Sequence, residues 1–201
     1  MFKKIKNFLL NILGDIKVYK YPFFMVYDPS TYFVKGHHTR QAIDIIEPGA
    51  VLLRAYTFYL DGFFIPGSYS HSGIYVGDGK VIHAVAEGVE EIDIIDFLRC
   101  DRFCILKPLD NDKALLAVDK AKFFLKTPYD FDFEDGTEAL YCHELTATCY
   151  YDYDIEKKPV KILGINFKPR YTCDSFLQNE HFEKILEVIP RKNVNFTLRK
   201  H

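Results

Sequence analysis

Apolar residues recur at helical spacing over the first 17 positions. Phe2, Ile5, Leu9, Ile12, Leu13 and Ile16 form the stripe, with Lys3, Lys4, Lys6 and Lys17 between them. The pattern predicts an amphipathic helix, which packs on the domain or lies on a membrane surface. Residues 18–45 are aromatic-rich, carry Lys35-Gly36-His37-His38, and show no firm periodicity. Glu47-Pro48-Gly49 then signals a turn before a strand over Ala50–Tyr56, and residues 57–70 read as loop. Further strand-like runs follow at His71–Val76, Val81–Val85, Glu90–Ile95 and Arg102–Lys107. The first two of these flank Gly77-Asp78-Gly79, a strong hairpin signal. Lys113–Lys126 is predicted helical, with a stripe of Leu115, Leu116, Val118, Ala121, Phe124 and Leu125. A second helix is expected from Glu138 to about Tyr151, with Asp135 or Thr137 as N-cap, and another over Ser175–Val188. Clustered strands followed by helices predict an α+β domain with an antiparallel sheet.

Composition narrows the class. The 201 residues fit a domain over 46–201 with an N-terminal extension over 1–45. With 48% hydrophobic and 27% charged residues the chain is not a disordered tail. A formal net charge of −2 gives no bulk electrostatic case for a nucleic-acid partner. No apolar run approaches the ~20 residues of a membrane-spanning helix. Five cysteines in no repeated spacing argue against a secreted disulfide framework. Cys100, Cys104, Cys149 and Cys173 are expected to be small buried hydrophobes. No clear export signal follows the N-terminal lysines, so a cytoplasmic location is expected, with peripheral membrane contact through residues 1–17 as a further expectation.

Signals for Ser/His/Asp hydrolases, P-loops, dinucleotide folds and H-E-x-x-H metal sites are absent. A Cys/His constellation remains. Cys142 falls in the first turns of the second predicted helix, where the helix dipole favours a nucleophilic thiolate. His71 opens the hairpin, and His83 follows twelve residues later in the partner strand. Pairing about Asp78 makes the two imidazoles near cross-strand neighbours, so one can act as base and the other hold its tautomer. Read singly, a Cys on a helix or a His in a strand is usually a core or structural residue. Only the hairpin pairing of the two histidines sets the catalytic reading level with that one.

The stretch His71-Ser-Gly-Ile-Tyr-Val-Gly-Asp-Gly-Lys-Val-Ile-His83 resembles the signature hairpin of lecithin–retinol acyltransferase-like proteins. It is also similar to that of the circularly permuted NlpC-like papain-fold hydrolases of the YiiX/YaeF type. Pro48-Gly-Ala-Val-Leu-Leu-Arg54 resembles the preceding strand. Thr127-Pro-Tyr-Asp-Phe131 and Tyr141-Cys-His-Glu-Leu145 resemble the second signature, a Y-D segment followed by C-S-E-L. The resemblance spans about residues 46–150 and implies a permuted papain-like fold, a small barrel-like antiparallel sheet packed on helices. It implies Cys142 as nucleophile, His71 as general base, His83 as the third, orienting residue and Glu144 as support. His143 stands where the family usually has Ser, and Ala50 where Asp is frequent.

The implied chemistry is acyl transfer through a thioester, with the Cys142 backbone N–H facing the oxyanion and no cofactor or metal. The expected function is a thiol hydrolase of the amidase or peptidase kind, acting on a peptide or small amide. The aromatic residues of the 57–70 and 129–133 loops are expected to border the cleft. A lipid acyl hydrolase or acyltransferase acting on a lipid ester is the alternative, and a non-catalytic binding module is a further one. A metal site is a last rival: Cys142, His143, His71 and His83 include zinc-ligand types, though without C-x-x-C or H-x-x-x-H spacing.

Overall fold

β-Branched and aromatic residues fill Ile16-Lys-Val-Tyr-Lys20 and Phe23-Phe-Met-Val-Tyr27, a composition that favours strands over helix. The structure is a computed structural model that describes residues 16–20, 23–27, 32–56, 67–134, 136–162 and 164–190. The chain divides into two units, residues 1–32 and 33–201. In the first, β1 (Ile16–Lys20) pairs antiparallel with β2 (Phe23–Tyr27). The predicted N-terminal helix lies outside the described residues except at Ile16 and Lys17, which are strand.

The second unit opens with α1 (Gly36–Ile45), where the His38 ring Nδ1 accepts the Lys35 backbone N–H at 3.0 Å. Then come β3 (Val51–Ala55), β4 (His71–Gly77), β5 (Lys80–Val85), β6 (Gly88–Asp93), the short α2 (Ile94–Phe97) and β7 (Arg102–Pro108). The helices α3 (Asn111–Phe123) and α4 (Cys142–Cys149) follow. A small hairpin, β8 (Lys158–Ile162) with β9 (Ile165–Arg170), leads to α5 (Cys173–Leu177) and β10 (Phe182–Val188). Six strands form one antiparallel sheet in the order β10-β7-β3-β4-β5-β6. The sheet is open, with β10 and β6 as its edges, so the barrel-like closure expected from the resemblance is not formed. Among the described residues no helix is long and apolar enough to cross a membrane.

Strand alternation builds a core on each face of this sheet. Val51, Leu53, Ile74, Ile82 and Ala84 pack with Ala117 and Ala121 of α3 and Leu145 of α4. Leu52, Val81, Phe103 and Ile105 pack on the other face with Ala42 of α1 and Phe97 of α2. The hairpin turn Gly77-Asp78-Gly79 has φ of 95°, 51° and 71°, a left-handed run that glycine adopts freely and Asp tolerates. At Gly73 a Cβ would stand 2.8 Å from Val81 Cγ1 and 2.9 Å from Phe97 Cε2, so glycine lets the Phe97 ring press onto β4.

Two helix predictions are corrected. α3 is helical as expected, capped by Asp110, whose Oδ1 accepts the N–H of Asp112 and Lys113. Its buried face, however, is Ala114, Ala117, Val118 and Ala121, while Leu115 and Leu116 of the predicted stripe are about half exposed, at 56% and 52%. Small side chains allow the close approach to the sheet. The predicted helix over Ser175–Val188 splits into α5 and the edge strand β10. Pairing with β7, Phe182 opposite Pro108 and Val188 opposite Phe103, overrides a local pattern that fits either period.

Candidate active site

α4 begins later than predicted, at Cys142 rather than Glu138, and its N-cap is Tyr141, with no side-chain capping bond. Thr137 is therefore not the cap, and Asp135 lies outside the described residues. Cys142 is the first helical residue, and it is buried together with His143, Glu144 and nearly all of α4. A wholly buried helix start needs polar partners for its carbonyls and N–H groups.

β4 supplies them. Ser72 Oγ donates to the Cys142 carbonyl at 3.0 Å, and Thr146 Oγ1 donates to the same oxygen at 3.1 Å. Ser72 Oγ also lies 2.9 Å from Thr146 Oγ1 and 2.8 Å from His143 Nδ1. His143 Nδ1 stands 3.8 Å from Cys142 Sγ. The thiol itself receives hydrogen bonds from the backbone N–H groups of Ser72 and His143. Ser72 follows His71 directly, so the thiol is tied to the strand end that carries His71.

His71 and His83 meet as the hairpin register predicts: His71 Nε2 lies 2.8 Å from His83 Nδ1, with the rings near perpendicular at 86°. Both rings pack against Phe97, with centroids at 5.8 and 5.6 Å. Glu90 is the direct cross-strand partner of His83. Its Oε1 is 3.3 Å from His83 Nε2, ion-pair distance without the alignment of a hydrogen bond. Glu144, in the first turn of α4, is 4% exposed, and its charge joins burial in raising the Tyr141 phenol pKa.

Burial dominates the electrostatics. It pushes the Cys142 thiol up to about 11, against the lowering effect of the backbone N–H donors and the Arg54 cation. Burial here opposes the thiolate that the helix-start position favours. Burial also lowers His83 and His143 to about 3 and holds His71 well below its usual value, with Arg54 adding to the effect at His71 and His83. The resting groups are a neutral thiol and neutral imidazoles. The other four cysteines are free and buried, as expected, and burial raises each of them.

The aromatic loop reaches the site. Tyr129 lies near enough to Cys142 for a thiolate there to add to burial in raising the phenol pKa. Asp130 Oδ1 accepts the N–H groups of Asp132 and Phe133, both at 2.9 Å, and Phe133 rests on Tyr141 at 5.0 Å. The part of the other expected border over residues 57–66 lies outside the described residues.

A family model described as permuted papain-like amidase, YaeF/YiiX, peptidase family C92, matches residues 45–186. The chain belongs to this family. It is 27% identical over 145 residues to protein OPG091 of vaccinia and variola viruses, and 26% identical to that of monkeypox virus. Each match covers 69% of this chain and 84% of the viral protein. Among solved structures, the metalloprotein YiiX of Escherichia coli O157:H7 superposes with a TM-score of 0.59 at 15% identity. That superposition covers 72% of this chain and 98% of YiiX, and it shows the permuted papain-like fold. Among the described residues of this C92 chain, no group of three or more His, Cys, Asp or Glu side chains is placed to hold a metal ion.

Three residues at this site escaped the sequence reading. Arg54 carries a signal, a cation inside an otherwise apolar strand. Ser72 is a polar residue at an inward-facing strand position. Glu90 is found by continuing the hairpin logic one turn further, about Ala86-Glu87, which sets it opposite His83.

Proposed function

We propose that the chain is a cysteine amidase or peptidase in which Cys142 is the nucleophile, His71 the general base and His83 its orienting partner. The observation that carries this reading is the bond between His71 Nε2 and His83 Nδ1. If Nε2 of His71 carries the proton and donates it to His83 Nδ1, Nδ1 of His71 is left as a free acceptor. His83 then carries its own proton on Nε2, the atom that faces Glu90. This tautomer chain leaves one basic nitrogen for the thiol.

Because the thiol rests neutral, its proton moves to His71 Nδ1 as Sγ attacks the amide carbonyl. The C–S bond forms and the carbonyl oxygen becomes an oxyanion, received by the backbone N–H of Cys142. Such a donor contributes about 3 kcal/mol to barrier lowering. The imidazolium returns the proton to the leaving nitrogen as the C–N bond breaks. Water, deprotonated by His71, then hydrolyses the thioester. Glu144, buried one turn into α4, supports the site from beneath.

Incubation with a panel of peptide coumarylamides, followed by intact-mass analysis, tests the reading. The expected result is coumarin release with a transient acyl adduct on Cys142, abolished by Cys142→Ala and reduced about 10²–10⁴-fold by His71→Ala. Amide turnover that survives Cys142→Ala overturns it.

A further inference from the structure

The strand that precedes the hairpin carries one cation into the site. Arg54 of β3 is the direct cross-strand neighbour of His71. Strand alternation sets Arg54, His71 and His83 on the sheet face that bears Phe97. The Arg54 guanidinium stacks on the Phe97 ring at 4.3 Å and lies 5.4 Å from the Tyr56 ring. Its Nη1 donates to the Phe97 carbonyl at 2.9 Å, while its buried Nε has no hydrogen-bond partner. Among the described residues no carboxylate lies within ion-pair distance of it, and Glu90 stands beside His83 instead.

A guanidinium held by its stack and its Nη1 bond, with Nε–H unpartnered, is matched in shape to a carboxylate. Here it stands beside the base, where an imidazolium must form during turnover. An unneutralised cation opposes that step, and the lowering of the His71 and His83 pKa values by Arg54 expresses the same repulsion. An anion on Arg54 removes it. We propose that Arg54 is a carboxylate-binding subsite and that the substrate is an amide bearing a carboxylate next to the scissile carbonyl. The substrate's own charge then completes the electrostatics of the His71 base. This rests on the reading of Cys142 as nucleophile.

The matched reagents iodoacetate and iodoacetamide test the subsite, because they differ only in the carboxylate. The rate of Cys142 alkylation by each is read by peptide mass spectrometry, with glutathione as the free-thiol reference. The expected iodoacetate-to-iodoacetamide ratio is at least about tenfold above that of glutathione. The iodoacetate rate saturates with concentration and is slowed by added acetate. In Arg54→Gln the ratio falls to the glutathione value; being a ratio, it is insensitive to a general change in thiol reactivity. An unchanged ratio between wild type and Arg54→Gln, with Cys142 labelled in both, overturns the subsite and leaves the nucleophile standing. Failure of both reagents to label Cys142 in the folded protein overturns the nucleophile and the subsite together. If Arg54→Gln does not fold, the competition arm decides on wild type alone: absence of acetate protection overturns the proposal. Protection by inorganic phosphate but not by acetate does the same, since it assigns Arg54 to a phosphoryl group instead.

Discussion

His71 and His83 share a 2.8 Å hydrogen bond, and Glu90 stands 3.3 Å from the far nitrogen of His83. The three form a graded chain in which His83 is almost fully buried and Glu90 is nearly half exposed, at 47%. His83 needs only to accept a hydrogen bond from His71, a task an amide oxygen also performs. His83→Ala is therefore expected to lower kcat/KM of the amidase reaction by about 10–100-fold, and His83→Gln by clearly less. Glu90→Gln, solvent-screened and without hydrogen-bond alignment, is expected to cost about threefold or less. Steady-state kinetics of the three variants check the order. A Glu90→Gln loss as large as that of His83→Ala removes the graded chain.

Three histidines at the site also set how the fold responds to acid. His71, His83 and His143 are neutral in the fold because burial lowers their pKa values, the last two to about 3. In the unfolded chain each titrates near 6.5. Below that value the unfolded state binds more protons than the native state, so stability rises with pH across the window from about 3 to 6.5 and is lost as pH falls through it. Each histidine contributes a slope of about 1.4 kcal/mol per pH unit. Urea unfolding at pH 7, 6 and 5 stays above most carboxylate titration. The expected result is a stability that falls steadily below pH 6.5, with a slope shallower by about one proton in His143→Gln. Stability that stays flat from pH 7 to 5 removes the assignment of these histidines as neutral in the fold.

How far the sequence carried the fold depends on the range of the interactions involved. The hairpin and the meeting of His71 with His83 were legible because a Gly-Asp-Gly turn specifies register locally. The buried strand Val51–Ala55 was legible from its apolar run. β10 was not, because whether Phe182–Val188 is helix or strand is decided by β7, whose paired residues lie 74 to 85 positions earlier in the chain. The inward face of α3 was misread for a related reason. Leucines mark hydrophobicity, but the helix meets the sheet through Ala114, Ala117 and Ala121, where small volume rather than apolar area is what packing demands. At the site, Cys142, His71 and His83 are chemically conspicuous residue types. Ser72, Arg54 and Glu90 acquire meaning only from what lies across a strand or a helix.

Ser72 and Thr146 converge on one oxygen, the Cys142 carbonyl, and their own hydroxyl oxygens lie 2.9 Å apart. Both are fully buried, so each exchanges its bonds to water in the unfolded chain for these contacts and is left an orphan if its partner goes. The pair also holds His143 through Ser72 Oγ. It ties the first turn of α4 to β4 at the residue next to His71; on the proposed reading, that contact positions Cys142. Ser72→Ala is expected to destabilise the protein by about 1–3 kcal/mol, and Thr146→Val by a similar amount. Because they share an acceptor, the double variant is expected to lose less than the sum, with a coupling of at least about 0.5 kcal/mol. Urea unfolding of the four proteins completes the cycle. The kinetic counterpart is a fall in kcat with little change in KM for Ser72→Ala, since a displaced nucleophile turns over slowly while the binding surface is intact. Additive stabilities together with a KM-only effect remove Ser72 from the positioning of Cys142 and leave it an ordinary core hydroxyl.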